Sequence, residues 1–438
     1  MRKAQVMAEM GQDDLLAHAE RCARTIREAE TDLLRVAYQW AITHDPARLE
    51  PGQSDQPGRE KARQLGGAGT PEVCEFAAAE LGARIGRTTY AAAQLMADAL
   101  DLHHRLPEHW RRVEAGEVRA SYARFVCAKT RDLTLDEAGY VDAAVAESAD
   151  GRIPWTRFES LVEAKVAAAA PEAAREREER ASKATFAKKL RTDAHGMATF
   201  MVRADLPTIE AIDSFVTARA DQLQDSMPDT DLDHRRVHAV LLAANPGADA
   251  ATDTRDLLPT VQLYLHAYAD PDAEPIARLE SHGPVTEAWI TRVLGPTARF
   301  KITPVLDLAG QAPVDAYEIP DRHRQAVHLV TPADTFPYSS SLSRQKQVDH
   351  TIPYDEGGAS AVGNYGPMTT SHHRIKTHGD WQVQQPFPGI YVWRDPHGGF
   401  YLVDHTGTRR LTGALRQQRP HPLTVEIYRR MPGIELAA

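Results

Sequence analysis

The chain contains few cysteines and no long apolar run, and each shortage excludes a class of protein. Its three cysteines, Cys22, Cys74 and Cys127, are far apart and odd in number, so they predict neither a disulfide framework nor a CxxC metal knuckle. No stretch approaches the roughly 20 uninterrupted apolar residues that a membrane-spanning helix needs. The N-terminal MRKAQVMAEMGQDDLL has no apolar segment behind its positive charges, so no secretory signal is expected. The sequence therefore predicts a reduced, cytoplasmic protein without a membrane partner.

Positive charge is also scarce, because 51 basic residues face 61 acidic ones and the net charge is −10. The deficit is uneven: residues 338–383 carry four basic and four acidic side chains, and residues 384–438 carry seven against four. The first 337 residues therefore hold a net charge of −13. This distribution excludes a strong non-specific field for DNA, but it allows local phosphate contacts near the C-terminal end.

The length of 438 residues and an apolar fraction of 42% predict two or three domains with hydrophobic cores. Apolar residues at three- and four-residue spacing predict a helix over 13–44, and the Gly- and Pro-rich stretch 51–72 predicts a linker or mobile loop. Thr70-Pro71-Glu72 fits a helix start, and the chain is predicted to be almost wholly helical from there to about residue 190.

After residue 190 the apolar period changes from that of helices to that of strands. The predicted strands lie within residues 197–206, 260–268 and 299–308, and the predicted helices near residues 207–224, 233–244 and 284–293. The fold class expected from these patterns is α+β, with a large, mainly helical N-terminal domain that runs into a mixed α/β portion.

Several reactive side chains upstream allow a functional and a structural interpretation. His103, His104 and His109 could form a metal cluster, but their polar helix-end context favours surface histidines. Cys127 is predicted to be a small core residue and not a nucleophile. The acidic residues of the loop 315–321 could be catalytic, but a solvated loop is the favoured interpretation.

The most informative segment is QVDHTIPYDEGGASAVGNYGPMTTSHHRIKTHGDW, residues 347–381. A β-hairpin followed by a helix would bring Asp349 and His350 opposite the first turns of that helix. The predicted parts are a strand at 348–353 that proline stops, a turn at 355–358, a second strand at 364–368, and the helix HHRIKTH with Ser371 as its N-cap.

An aspartate next to a histidine supplies two different kinds of chemistry. Adjacent strand residues point to opposite faces, so one of Asp349 and His350 can bind a metal ion while the other faces a substrate. Carboxylate oxygens and imidazole nitrogens suit one Mg²⁺, Mn²⁺, Ni²⁺ or Zn²⁺ ion with open positions for water and phosphate. A neutral histidine accepts a proton from water, and a bound cation stabilises charge on a phosphate. The two together are sufficient for phosphodiester hydrolysis.

These residues resemble the HNH endonuclease family, which has the ββα-metal fold. The resemblance rests on the Asp-His pair, an Asn fourteen residues after His350, a His nine residues after that Asn, a following Lys-Thr, and two glycines in the turn. A wider resemblance, to a multicopy actinobacterial HNH family with an N-terminal helical domain of unknown function, covers most of the chain with looser motifs. Together with the sequence patterns it predicts an N-terminal helix (1–50), a linker (51–72), a helical to mixed α/β domain of unknown function (73–330), an HNH module (331–383) and a β-rich extension and tail (384–438).

The resemblance implies a role for each matching position. Asp349 would be the first metal ligand, and His350 would be the general base, its ring oriented by a backbone carbonyl. Asn364 would brace the hairpin loop so that His350 stays aimed at the water. His373 matches the metal ligand on the helix. The position one turn later is a threonine, so the neighbouring His378 is the candidate third ligand.

Three further residues of the same helix are expected near the nucleic acid. His372 would contact phosphate or pack against the hairpin, and Arg374 and Lys376 would grip the DNA backbone on either side of the cut. The implied function is DNA cleavage with one divalent metal ion. The alternatives are a nucleic-acid-binding protein of mobile-element origin that no longer cuts, and a scaffold whose acidic N-terminal part mediates self-association or binds a protein partner.

The chain departs from the family in lacking cysteines around the hairpin. Many members hold a structural zinc with two CxxC-like pairs, whereas this chain has Ser339, Ser341 and Thr369 near those positions. No cysteine follows Cys127, so no structural zinc is expected in this module. We expect aromatic packing to hold the hairpin instead, through Phe336, Tyr338, Tyr365 and Trp381 with strands in residues 390–404.

Overall fold

The computed structural model describes residue 7 and residues 10–190, 197–245, 247–248, 265–266, 276–279, 283–294 and 312–411. The predicted α+β class and the large helical N-terminal region are confirmed. By its internal contacts the chain divides into two units, residues 1–171 with 304–438, and residues 172–303. Among the described helices, none combines the length and the apolar composition that a bilayer crossing requires.

The first unit begins with a series of helices. They are α1 (Gln12–Thr43), α2 (Ala77–Ile85), α3 (Thr89–Arg105), α4 (Pro107–Glu114), α5 (Ala120–Thr130), α6 (Leu135–Val145) and α7 (Trp155–Ala169). The helix predicted over 13–44 is confirmed as α1, and its buried residues recur every three or four positions from Thr31 to Ala41. Thr134 begins α6 with the capping box that its spacing to Glu137 predicts.

The stretch 51–72, predicted to be a linker or mobile loop, contains strand β1 (Ala62–Gln64), which pairs antiparallel with β2 (Glu72–Cys74). No helix begins at Thr70 as predicted, because residues 72–74 are drawn into this ladder and α2 starts only at Ala77. Gly67 lies so close to α3 that a Cβ atom there would be 1.9 Å from Nη1 of the buried Arg105. A glycine is required at that position.

The C-terminal part of the first unit contains a hairpin, two helices and a meander. Strands β8 (Gln347–His350) and β9 (Tyr365–Met368) pair antiparallel, with Asp349 opposite Gly366. The helices are α12 (Asp321–Val330) and α13 (Thr370–His378), which precede and follow the hairpin. The antiparallel meander consists of β10 (Gln382–Phe387), β11 (Ile390–Arg394), β12 (Phe400–Asp404) and β13 (Gly407–Leu411).

One hydrophobic core joins the N-terminal helices to this C-terminal part. Phe76 precedes α2, and it is buried with Ala79 and Ala83 of that helix against α13 and the meander. The other members of this cluster are Phe336, Met368, Ile375, Trp381, Val383, Tyr391, Trp393, Tyr401 and Val403, with Tyr338 packed at its edge. The expected aromatic packing is present for Phe336, Tyr338 and Trp381, whereas Tyr365 belongs to a second cluster with Ile319 and Val348. Packing with α2 therefore supports the hairpin.

The second unit contains the remaining elements. Its helices are α8 (Pro171–Lys183), which starts at the boundary, α9 (Leu206–Gln222), α10 (Leu232–Ala243) and α11 (Glu287–Leu294), and its strands are β3 (Phe186–Lys189), β4 (Phe200–Arg203), β5 (Leu265–His266), β6 (Ile276–Leu279) and β7 (Gly283–Thr286). The strand predicted within 197–206 and the helices predicted near 207–224, 233–244 and 284–293 are confirmed. The strand predicted at 299–308, and most of that at 260–268, lie outside the described residues.

Candidate metal and hydrolytic site

Strand β8 and helix α13 bring Asp349 and His373 together. Asp349 Oδ1 lies 3.4 Å from His373 Nε2, and the side chains are 20% and 34% exposed. Helix α13 is started by Thr369, whose hydroxyl accepts from His372 N, and not by the predicted Ser371. The helix therefore begins two residues earlier than predicted, directly after β9. This start places His373 in the first turn of α13, beside the strand.

Gln347 fixes the proton on the His373 ring. Nδ1 of His373 lies 2.8 Å from Oε1 of Gln347, and an amide oxygen can only accept, so Nδ1 carries the hydrogen of the neutral ring. A neutral ring therefore directs the lone pair of Nε2 at Oδ1 of Asp349, whereas a protonated ring donates from Nε2 to that oxygen. The 3.4 Å distance between the two atoms suits a cation or a proton between them. Gln347 was not predicted, but a histidine ligand oriented through its other nitrogen is a common feature of metal sites.

Lys376 already neutralises the other oxygen of this carboxylate. Its ammonium donates to Oδ2 of Asp349 at 2.7 Å and to the backbone carbonyl of His350. Burial raises the pKa of Asp349, but its contacts with His373 and Lys376 outweigh burial and hold the pKa below the usual range. Asp349 is therefore ionised at neutral pH. Lys376, predicted to grip DNA, is bonded to the proposed ion site itself.

His350 lies in a separate, enclosed environment. Its side chain is only 4% exposed, and its ring lies 5.0 Å from that of Tyr365 and 5.8 Å from that of Tyr317. Burial lowers the pKa of His350, although the charge of Asp349 opposes this shift, so the ring is neutral at physiological pH. The ring is not oriented directly by a carbonyl as predicted, because the hydroxyl of Ser360 lies 2.9 Å from Nε2 and takes that place.

Asn364 makes the bracing contacts that the resemblance implies. Its side-chain oxygen accepts from Ile352 N at 2.8 Å, and its amide donates to the carbonyls of Ile352 and Ala359 at 3.0 and 2.9 Å. These bonds connect the end of the loop between β8 and β9 to its beginning and middle. The side chain is 9% exposed, so the bonds are shielded from water. Asn364 lies in the loop that carries Ser360, and it fixes the position of that residue relative to β8.

His372 and Asp334 tie the loop before the hairpin to α13. Asp334 is fully buried and accepts from Phe336 N, Thr369 N and His372 Nδ1 at 2.8 to 2.9 Å. The ring of His372 also stacks on Phe336, with centroids 4.4 Å apart. A carboxylate with three donors thus links the loop before the hairpin to the start of α13. The His372 ring packs on that loop, and its predicted phosphate contact stays a prediction.

Arg374 and His378 lie on the side of α13 that faces the N-terminal part of the unit. Arg374 donates to both carboxylate oxygens of Glu75 at 3.2 and 2.8 Å, and to the carbonyls of Gly58 and Arg59. His378 lies against Gly58, where a Cβ atom would be 2.8 Å from its Nε2. Arg374 thus has protein partners where a DNA contact was predicted, and His378 does not join Asp349 and His373.

The spacing and the chemistry of the two potential ligand atoms of this pair suit a divalent ion. Neighbouring ligands of an ion with bonds of about 2 Å lie roughly 3 Å apart, and Asp349 Oδ1 and His373 Nε2 are 3.4 Å apart. An anionic oxygen with an imidazole nitrogen suits Mn²⁺, Ni²⁺ or Zn²⁺. Within the described ranges no group of three His, Cys, Asp or Glu residues converges on one point. The pair therefore fits an ion that takes its other ligands from water or phosphate.

The reactive residues upstream have structural surroundings. His109 is fully buried and bonded to Asp142 at 2.5 Å, so its prediction as a surface histidine is wrong; α4 and α6 enclose it. His103 stacks on Tyr38, with ring centroids 3.5 Å apart. Cys127 is fully buried, as predicted, and burial raises its pKa well above the usual thiol value. The loop 315–321 is largely exposed at its acidic positions, as its favoured interpretation predicts.

Comparison of the chain with protein-family models, with curated proteins and with solved structures gave no match.

Proposed function

We propose that the chain is a metal-dependent endonuclease of the HNH type that hydrolyses DNA phosphodiester bonds. The observation that carries the proposal is the close approach of two potential ligand atoms, Asp349 Oδ1 and His373 Nε2, which lie 3.4 Å apart. Such a pair suits a divalent cation, and Gln347 orients the His373 ring toward Asp349. The hairpin and helix that carry the pair have the order of a ββα-metal module.

In this proposal each residue has a defined task. Asp349 and His373 hold the ion, which stabilises negative charge on the phosphate when bound. His350 accepts a proton from the attacking water while the oxygen of that water bonds to phosphorus and the bond from phosphorus to the 3′-oxygen breaks. Asn364 keeps the loop of the hairpin fixed while this happens. The neutral state that burial favours for the His350 ring suits a proton acceptor.

The charge distribution favours DNA binding that is limited to the phosphate at the cleavage site. With a net charge of −10 and balanced charge in residues 338–383, the sequence supplies no strong non-specific attraction for a duplex. Because Glu75 and Asp334 engage Arg374 and His372, we assign the gripping of phosphate to the ion and not to these two side chains. Binding is then local to the scissile phosphate, and binding without metal ion is weak at physiological salt.

The second candidate function is binding of nucleic acid without cleavage. The contact between Lys376 and Asp349 favours it, because an ammonium in this position satisfies the carboxylate without any metal ion. The two candidates differ in whether cleavage requires a divalent ion and His350.

Nicking of supercoiled plasmid by the full chain tests the proposal. We expect cleavage with Mg²⁺, Mn²⁺ or Ni²⁺, none with excess chelator, and a loss of at least about 100-fold in His350→Ala. His405→Ala, at an exposed histidine in the turn between β12 and β13, is the matched control and should cut like the wild type. Cleavage by His350→Ala at the wild-type rate would remove the proposed base, and no cleavage by any variant would favour binding alone.

We also propose that the chain self-associates through the first half of α1. Leu15, Ala19, Cys22, Ile26 and Ala29 recur at alternating four- and three-residue spacing, and all five are exposed. The buried residues of α1 begin only at Thr31, so the described fold leaves this stripe uncovered. Light scattering should show a higher mass for the wild type than for Ile26→Glu, with Arg24→Glu, off the stripe, as control. Equal masses for all three chains would refute the role of the stripe.

A further inference from the structure

A chain of two hydrogen bonds leads from His350 through Ser360 to a backbone carbonyl. Nε2 of His350 lies 2.9 Å from Oγ of Ser360, and this hydroxyl donates to the carbonyl of Ala316 at 2.5 Å. Ser360 is 1% exposed and His350 is 4% exposed, so solvent does not compete for these bonds. Among the described residues, Nδ1 of His350 has no hydrogen-bond partner.

The direction of the two bonds follows from what each atom can do. A carbonyl oxygen only accepts, so the single proton of the Ser360 hydroxyl is used on Ala316. Oγ of Ser360 must then accept from His350, and Nε2 must carry the hydrogen. Since a neutral imidazole has only one N–H, the lone pair resides on Nδ1.

The carbonyl that sets this direction comes from outside the hairpin and is firmly held. Val314 N donates to the carbonyl of Ser360 at 3.0 Å, which pairs the segment 312–319 with the hairpin loop. Ile319, at the end of the segment, is buried in one cluster with Val348 of β8 and Val362 of the loop. These two contacts flank Ala316 and hold the segment against the hairpin loop.

From this geometry we propose that Ser360 is a positioning residue that fixes the tautomer of His350, so that Nδ1 is the nitrogen that accepts the proton from water. The inference rests on the proposed hydrolytic function and adds which atom acts and what orients it. A serine with a packing role alone would not determine the protonated nitrogen. Alanine at residue 360 would leave both His350 Nε2–H and the Ala316 carbonyl without a partner.

Nitrogen NMR of the full chain with ¹⁵N-labelled histidine tests the tautomer directly, because protonated and unprotonated ring nitrogens give separate shifts. His350→Gln identifies the signals, since they vanish in that variant. We expect the wild type to show Nε2 protonated and Nδ1 unprotonated at neutral pH. Ser360→Thr should keep this pattern, because threonine retains the hydroxyl, and Ser360→Ala should show shifts averaged between the tautomers. Protonated Nδ1 in the wild type, or an unchanged fixed tautomer in Ser360→Ala, overturns the proposal.

Plasmid cleavage by the same variants separates this proposal from the proposed function. Ser360→Ala should lower kcat about 10-fold with little change in KM, and Ser360→Thr should restore the rate. Equal loss in both variants would overturn the positioning role. A wild type that holds the expected tautomer but cuts no DNA with any ion would support the assignment of the ring nitrogens and overturn the nuclease function. If Ser360→Ala does not fold, the wild-type tautomer and Ser360→Thr still decide.

Discussion

Arg84 in α2 and Asp395 after β11 form a two-bond ion pair between residues 311 positions apart. Nε of Arg84 donates to Oδ2 of Asp395 at 2.7 Å, and Nη2 donates to Oδ1 at 2.8 Å. The Asp395 side chain is fully buried, whereas that of Arg84 is 32% exposed. The pair lies beside the shared hydrophobic core, and both features make the N-terminal helices and the C-terminal meander one folded unit.

Removal of the arginine should destabilise this unit. Arg84→Met leaves the buried Asp395 carboxylate without its cation, and we expect the free energy of unfolding to fall by about 2 to 3 kcal/mol. Urea denaturation of the full chain measures this change. Arg152→Met, which breaks a solvent-exposed pair with Asp150, is the control and should have a much smaller effect. An equal effect of the two substitutions would contradict the role of the buried pair.

The same carboxylate predicts a pH dependence of stability. Burial raises the pKa of Asp395, but hydrogen bonds from Arg84, Gly399 N and Tyr401 outweigh burial and leave the pKa below its ordinary value. A carboxyl group whose pKa is lower in the folded state than in the unfolded state stabilises the fold at any pH above the unfolded-state pKa. This stabilisation is lost as the pH falls through the folded-state pKa. The difference in melting temperature between the wild type and Asp395→Asn should therefore be largest at neutral pH and shrink in acid. A difference that grows in acid would contradict this sign.

Metal removal should affect activity and stability differently. A chelator should leave the full chain folded while it abolishes plasmid cleavage, because the bonds of Asp334 to Phe336 N, Thr369 N and His372 hold these segments without a metal ion. Asp334→Ala, which removes the acceptor of three buried bonds, should lower the free energy of unfolding by about 3 kcal/mol. Chelator-induced unfolding would show that a structural metal is present after all.

Lys376 should weaken metal binding, because its ammonium and a divalent cation compete for the carboxylate of Asp349. Lys376→Met should bind Mn²⁺ about 10-fold more tightly than the wild type by calorimetry. Lys188→Met, in the second unit, is the control for loss of one positive charge. Weaker binding by Lys376→Met would show that the lysine orients the carboxylate for the ion. No binding by any of the three chains would remove the ion from the proposal.

The close approach at Gly67 predicts a large effect of one methyl group. Gly67→Ala would place a Cβ 1.9 Å from Arg105 Nη1 and 2.4 Å from the carbonyl of Arg131, so the buried network around Asp101 must move. We expect a loss of at least about 3 kcal/mol in the free energy of unfolding. Gly139→Ala is the control, since no atom lies within 4 Å of its added Cβ and alanine favours a helix. A small effect at Gly67 would contradict this packing.

Local patterns in the sequence predicted the hairpin, the helix after it and the approach of Asp349 to the first turns of that helix. These patterns act over a few residues, so they can be interpreted without the fold, but they did not give the end of β8 at His350 or the capping residue Thr369. The choice of His373 as the partner of Asp349 came from the resemblance to a family motif. The start of α2 could not be predicted in this way, because β2 forms only when β1 is present as its partner.

The partners of the site residues depend on contacts between distant parts of the chain. Ser360 meets the carbonyl of Ala316 across 44 positions, and Asp334 meets His372 across 38. Arg374 was predicted to contact DNA, but its guanidinium donates to the carboxylate of Glu75, which lies 299 positions away in the sequence. Local spacing selects which side chains share a helix face or a strand face. Only tertiary packing determines which of them are desolvated and which opposing group completes their hydrogen bonds, because burial makes an unpaired polar atom costly.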